Sequence, residues 1–183
     1  MITIHSTPAA FSLAECDRIL EIVRAEKARD AKLVGQNKNH DIRRADLVWL
    51  DDIEEAAWVM DRIVDLVAEV NRETYDFAIT DFAESAQVAR YGAERQGHFD
   101  WHSDIGDGHI ASRRKLTMVV QLSEPTDYEG ALLEVMPSNA VVTAETARGT
   151  ATFFPSYLLH RVTPVTAGER FSLTIWAHGP RFR

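Results

Sequence analysis

The hydrophobic period of this chain changes once, near Asp76, and that change limits the fold more than any other feature. Before it, apolar residues recur every three or four positions; after it, they alternate. A segment patterned for one period cannot bury its apolar face in the other secondary structure. The chain is therefore predicted to be α+β, with helical support over residues 1–76 and a strand-rich core over 77–183. At 183 residues it is long enough to form one domain with its own core.

The helical part carries local signals. Ser12-Leu-Ala-Glu15 reads as a capping box, and Leu13, Cys16, Ile19, Leu20 and Val23 follow at helical spacing. A second helix is predicted from about residue 53 to 72, with Ala56, Val59, Met60, Ile63, Val67 and Val70 on one face. Gly35 and the polar run 36–41 read as a loop, and 47–50 as a short strand. Beyond Asp76 the candidate strands are 77–79, 86–91, 98–102, 115–122, 132–135, 140–143, 150–154, 158–162 and 171–177. I-G-D-G-H, S-E-P-T-D-Y-E-G, M-P-S-N and T-A-G-E separate them as turns. Short strands at this spacing form a two-sheet sandwich or barrel, and the two helices can cover one outer face.

Composition removes several functions. A single cysteine, Cys16, excludes an intramolecular disulfide and a Cys-rich zinc or iron–sulfur site. The start MITIHSTPAAF has no basic stretch followed by an apolar run, and no stretch of membrane-spanning length is apolar. A reducing, cytoplasmic location is the expectation, with no membrane partner. The formal charge of −8 weighs against nucleic acid.

The densest polar cluster is G-H-F-D-W-H-S-D. His102 and Asp104 are two apart, so on a strand, or one just ending, they point to the same side and can grip one metal ion. Two ligands hold an ion poorly. His160 supplies a third from a predicted strand whose same-face neighbours, Leu158 and Val162, are apolar, so it points inward. Two His and one carboxylate form the facial set of non-haem iron(II) oxygenases, which leaves positions open for co-substrate and oxygen. Ten residues on, Arg170, Ser172, Thr174 and Trp176 share a face opposite Phe171, Leu173 and Ile175. An inward Arg on a strand needs an anion, and a guanidinium grips a carboxylate in a bidentate fork. His5, His40 and His178 read as exposed or structural. His98 and Asp100 share the face of His102 if pairing is regular. His109 lies in a glycine-containing connection that could serve as a lid.

His102-x-Asp104, His160 and Arg170-x-Ser172 together resemble the iron(II)- and 2-oxoglutarate-dependent dioxygenases, most closely their prolyl 4-hydroxylase-like branch. The resemblance spans roughly residues 85–178. It includes A-R-Y-G, R-K-L-T-M-V-V-Q-L-S-E-P-T-D-Y-E-G-A-L-L-E and H-R-V-T-P-V-T-A-G-E-R-F-S-L-T-I-W. Where the family has paired glycines after the acidic turn, this chain reads Gly130-Ala131.

The resemblance implies a double-stranded β-helix, or jelly roll, with N-terminal supporting helices. It assigns His102, Asp104 and His160 to iron, and Arg170, with Ser172 and Tyr91, to the distal carboxylate of 2-oxoglutarate. It also places Gln121 beside the co-substrate, and Arg114 and Trp176 near the prime substrate. The implied cofactors are iron(II), 2-oxoglutarate and oxygen, with ascorbate as an optional accessory. The implied reaction couples decarboxylation of 2-oxoglutarate to succinate with hydroxylation of a prolyl or similar amino-acid side chain. Asp104 favours hydroxylation over halogenation, because halogenating relatives lack that carboxylate. The partner is a peptide, a protein or a small molecule. A hydroxylase of a free metabolite and a non-catalytic jelly-roll binding module stand as alternatives, and the oligomeric state is open.

Overall fold

The computed structural model describes residues 4–26, 29–30 and 42–182. The predicted loop 35–41, with His40, lies outside the described residues. The strands run, in chain order, β1 (His5–Thr7), β2 (Arg29–Asp30), β3 (Arg43–Arg44), β4 (Asp46–Trp49), β5 (Gln87–Gly92), β6 (His98–His102), β7 (Arg114–Gln121), β8 (Tyr128–Gly130), β9 (Leu133–Met136), β10 (Val142–Thr143), β11 (Ala151–Pro155), β12 (Leu159–Val162) and β13 (Val165–His178). The larger sheet has the order β1-β11-β7-β13-β5-β4-β2, with β8 joined to β13; the smaller has β10-β9-β12-β6-β3. Described strand pairs in both are antiparallel. This is the jelly-roll architecture expected.

Helix α1 (Leu13–Ala25) starts with the predicted capping box, as Ser12 Oγ accepts from Glu15 N–H and Glu15 accepts from Ser12 N–H. Helix α2 (Ala57–Val70) follows a short 3-10 turn at Glu54–Ala56 and runs on into a π turn at Asn71–Tyr75, which closes with Asp76 in the left-handed region. The buried stripe of α1 (Cys16, Ile19, Leu20, Val23) and that of α2 (Val59, Ile63, Val67, Val70) join one apolar core. The outer face of the large sheet completes it through Met118, Val120, Phe153, Leu173 and Ile175. Alternation then turns Thr117, Val119, Gln121, Arg170, Ser172, Thr174 and Trp176 to the interior between the sheets.

Several local expectations change. Residues 77–79 form no strand; Asp81 makes only an isolated bridge to His178. The 140–143 strand shortens to β10, and the 171–177 strand extends back to Val165, because its first part pairs with β8. The region before Asp76 is also less purely helical than its period implies, since β1 and β4 extend the large sheet and β3 the small one.

Pairing in β6 is irregular: His160 lies opposite His102, but Val162 lies opposite Phe99, so β6 carries one extra residue. The bulge ends the face-sharing that regular pairing predicts. Asp100 is exposed, whereas the Phe99 ring stacks on the His102 ring with centroids 3.4 Å apart.

Ala131, at the departure from the family's paired glycines, is buried at φ 49°, beside Gly130 at φ 76°. The left-handed region that glycine favours is thus occupied here by a residue with a Cβ.

Candidate active site

His102 ends β6, and His160 sits directly across from it on β12. Asp104 comes just after the strand. Its N–H donates to Ser156 O at 2.9 Å, and its own carbonyl accepts from Arg114 Nη1 at 2.9 Å, so the backbone is held from both sides. The three ligand atoms lie within 4.8 Å of one another. Asp104 Oδ1 is 3.7 Å from His102 Nε2, and Oδ2 is 3.4 Å from His160 Nε2.

The tautomers follow from the neighbours. His102 Nδ1 meets Asp100 O at 2.7 Å and His160 Nδ1 meets Leu158 O at 3.0 Å. A carbonyl only accepts, so both Nδ1 atoms carry a proton, which leaves the two Nε2 atoms, on the Asp104 side, as the ones able to ligate. Burial, and then the neighbouring His160, push the His102 pKa well down, which keeps that imidazole neutral. Burial alone would raise the Asp104 carboxyl. The imidazoles of His160 and His102, the Thr117 hydroxyl and the Trp176 indole outweigh it and bring the pKa below the ordinary value. Thr117 Oγ1 donates to Oδ2 at 2.7 Å, whereas the Trp176 N–H falls outside hydrogen-bond geometry. Two imidazole nitrogens and one carboxylate oxygen on a common centre suit a divalent first-row metal.

Arg170 lies deeper, 2% exposed. Its Nε donates to Gln121 Oε1 at 2.9 Å, and Gln121 in turn donates through Nε2 to Tyr128 Oη. Nη1 is buried with no partner among the described residues. Burial lowers its pKa from a very high starting value, opposed by Tyr91 and Tyr128; the Tyr91 ring centre is 5.8 Å from the guanidinium carbon. An interior guanidinium with a free edge is a receptor for a carboxylate. Tyr91, Ser172 and Arg170 line one narrow pocket with all three triad residues, so the metal set and this guanidinium share one chamber. Gln121 does not line that chamber; it holds Arg170 from the far side.

A wider cleft of about 360 Å³ opens above the triad, and Arg114 and Trp176 line it with His102 and Asp104. Arg114 stacks 3.9 Å over the Trp176 ring and makes a two-pronged ion pair with Glu84. Glu84 also accepts from His178 Nε2 at 3.0 Å, because His178 Nδ1 is taken by the Ala83 N–H. His178, wholly buried, is thus structural. The loop with His109 contributes Ile105, Gly106, Asp107 and Gly108 to the cleft wall. Thr117, Glu84 and Tyr128 were not legible as site residues. Their sequence neighbourhoods carry no signal, and their partners lie on other strands.

Fold and site together define a class: a jelly roll with a His-Asp-His set at one end and a buried arginine receptor behind it. The chain belongs to the 2OG-Fe(II) oxygenase superfamily, whose family model matches residues 86–178. A PKHD-type hydroxylase of Sphingopyxis alaskensis is 38% identical over 78 residues, 40% of this chain and 35% of that protein. One from Acidovorax ebreus is 40% identical over 68 residues, 37% of this chain and 30% of that protein. The matches thus span about a third of the length of these curated relatives. The fold is similar to a Pseudomonas putida prolyl-4-hydroxylase (TM-score 0.76, 22% identity, 98% of this chain and 94% of that one). It is also similar to a Trichoplax adhaerens prolyl hydroxylase in complex with a hypoxia inducible factor peptide fragment (TM-score 0.79, 18% identity, 96% and 83%). Among the described residues, no helix is long and apolar enough to cross a membrane.

Proposed function

We propose that this chain is an iron(II)- and 2-oxoglutarate-dependent dioxygenase that hydroxylates a prolyl or similar amino-acid side chain. The observation that carries the reading is the unpaired, buried Nη1 of Arg170 in the same chamber as three preoriented ligand atoms. A dicarboxylate reaching from one to the other would satisfy both.

His102, Asp104 and His160 would hold the metal through Nε2, one carboxylate oxygen and Nε2. Thr117 fixes the Asp104 carboxylate, and the two backbone carbonyls fix the ring orientations. Arg170 would anchor the distal carboxylate of 2-oxoglutarate, with Ser172 and the Tyr91 hydroxyl beside it. Gln121 and Tyr128 keep the guanidinium in place. Iron(II), when bound, supplies the oxygen chemistry that couples decarboxylation of 2-oxoglutarate to hydroxylation. The protein supplies geometry and exclusion of water. The wider cleft, walled by Arg114, Trp176 and the 105–108 loop, would receive the substrate.

The prolyl assignment is supported by the PKHD-type hydroxylase relatives and by the prolyl hydroxylase folds, one of them in complex with a peptide. A buried single thiol and an iron(II) site suit a reducing, cytoplasmic setting. The test is succinate formation from 2-oxoglutarate with iron(II), stimulated by proline-containing peptides, with a mass gain of one oxygen on the peptide. Failure to bind 2-oxoglutarate would refute the enzyme reading. Turnover of 2-oxoglutarate with no stimulation by any prolyl probe would refute the substrate.

A further inference from the structure

Three arginines border the chamber and its cleft, and two have their needs explained. Arg114 is neutralised by Glu84, and Arg170 is assigned to the co-substrate. The third is Arg43, on β3, 8% exposed. Its side chain makes no hydrogen bond or ion pair among the described residues, and its Nε is buried without a partner. Its guanidinium lies over the ring of Phe99, 4.6 Å from ring centre to guanidinium carbon. Phe99 in turn stacks on the metal-side ring of His102. Arg43 lines both the inner chamber and the outer cleft, so it stands at the passage between them.

Gln87, on β5, lines the same two spaces, is 2% exposed, and has a buried Oε1 with no partner. Two buried polar side chains left unsatisfied at one opening is a costly arrangement unless a ligand completes it. Among the described residues, the nearby acids do not fill the need. Glu84 is committed to Arg114 and His178, Asp104 to the triad, and Asp107 belongs to the exposed loop.

We infer that Arg43 is the anchor for a carboxylate on the primary substrate, with Gln87 accepting a hydrogen bond from an adjacent N–H of the same molecule. The inference rests on the oxygenase reading above and narrows its substrate to one that bears a negative charge close to the oxidised carbon. A guanidinium placed over Phe99 can present its remaining edge to one planar anion. Two sources offer that chemistry: an acidic side chain beside the target residue in a peptide, or the α-carboxylate of a free amino acid.

The experiment measures binding and turnover with matched probes. The probes are acetylated tripeptides carrying Asp or Glu beside proline, their Asn and Gln counterparts, the same four with alanine in place of proline, and L-proline with prolinamide. Binding is read by calorimetry on the full chain loaded with manganese(II) and 2-oxoglutarate without oxygen; turnover is read with iron(II). The wild-type chain is expected to bind the acidic member of a pair about tenfold or more tightly than its amide. That preference collapses to near unity in Arg43→Gln and is partly restored in Arg43→Lys, while the Kd of 2-oxoglutarate holds. Preference among the tripeptides identifies a peptide acid, and preference for L-proline over prolinamide identifies the α-carboxylate.

Equal binding of acid and amide by the wild type, or no binding of any probe, overturns the inference. So does an unchanged preference in Arg43→Gln, or a rise confined to the 2-oxoglutarate Kd. The alanine probes separate the two readings. Charge preference that is lost in Arg43→Gln but indifferent to proline sinks the prolyl assignment and leaves the Arg43 anchor standing.

Discussion

Replacing Glu84 by Gln tests whether the Asp104 scaffold is built on charge. Glu84 accepts from two nitrogens of Arg114 and from His178, and Arg114 donates to the Asp104 carbonyl. Burial alone would raise the Glu84 pKa. The hydrogen bonds from His178 and Arg114, with the Arg114 charge, outweigh it and hold the pKa at about 2 against an ordinary 4.5. That gap corresponds to about 3 kcal/mol of folded-state preference for the ionised form. The folded pKa is the lower of the two, so the contribution is complete above the unfolded value and is lost as pH falls from about 4.5 toward 2. Glu84→Gln also leaves the Arg114 guanidinium, 5% exposed, without its counter-charge. Urea unfolding at pH 7 should show a loss of about 3 kcal/mol in the variant, and the gap to wild type should narrow by about 2 kcal/mol at pH 3. A loss under about 1 kcal/mol at pH 7, or a gap of the same size at both pH values, would refute the reasoning.

Four further outcomes follow from the same geometry. His160→Ala leaves two of the three donors, and manganese(II) affinity measured by calorimetry should fall by about two orders of magnitude or more. Arg170→Met removes the buried receptor, so the KM for 2-oxoglutarate should rise about tenfold or more with the manganese(II) affinity of the free protein retained. Thr117→Val keeps the shape but takes a donor from Asp104 Oδ2. Metal affinity should weaken about tenfold, with a stability cost of about 1–2 kcal/mol in denaturant. Ala131→Gly relieves a residue at φ 49°, and the melting temperature should rise in keeping with about 1 kcal/mol.

What was readable in the sequence had a local or periodic signature. The capping box at Ser12, the stripes of both helices and the alternation that turns Arg170 inward and Leu173 outward all depend on neighbours within a few residues. The triad was legible because two of its members stand two residues apart at the end of one strand and the third is an inward His among apolar neighbours. The short strands β1, β2, β3 and β8 are too brief to show a period, and their pairing is decided by partners far along the chain. The β6 bulge has the same origin: the register is fixed by β12, and it moved Phe99 rather than Asp100 toward His102. Gln121 was placed beside the co-substrate by resemblance, yet its side chain spends both ends on Arg170 and Tyr128. Glu84 and His178, 94 residues apart, could be joined only by the fold.

The three arginines around the chamber show how one residue type takes different roles from its compensation alone. Arg114 has a full counter-charge and a ring beneath it, so it acts as a strut for Asp104. Arg170 has neutral partners on one side and a buried free edge on the other, so it can receive an anion without competition from an internal acid. Arg43 has, among the described residues, the quadrupole of Phe99 and no counter-charge, and thus the least internal compensation. A cation so placed raises the electrostatic cost of protonating His102, and it is among the influences that lower that pKa, after burial and His160. The arginine proposed to recruit an anionic substrate therefore also helps keep the adjacent imidazole unprotonated and ready to ligate. That coupling fixes a direction: neutralising Arg43 should make His102 easier to protonate, so manganese(II) binding to Arg43→Gln should become more sensitive to acid than it is in the wild type.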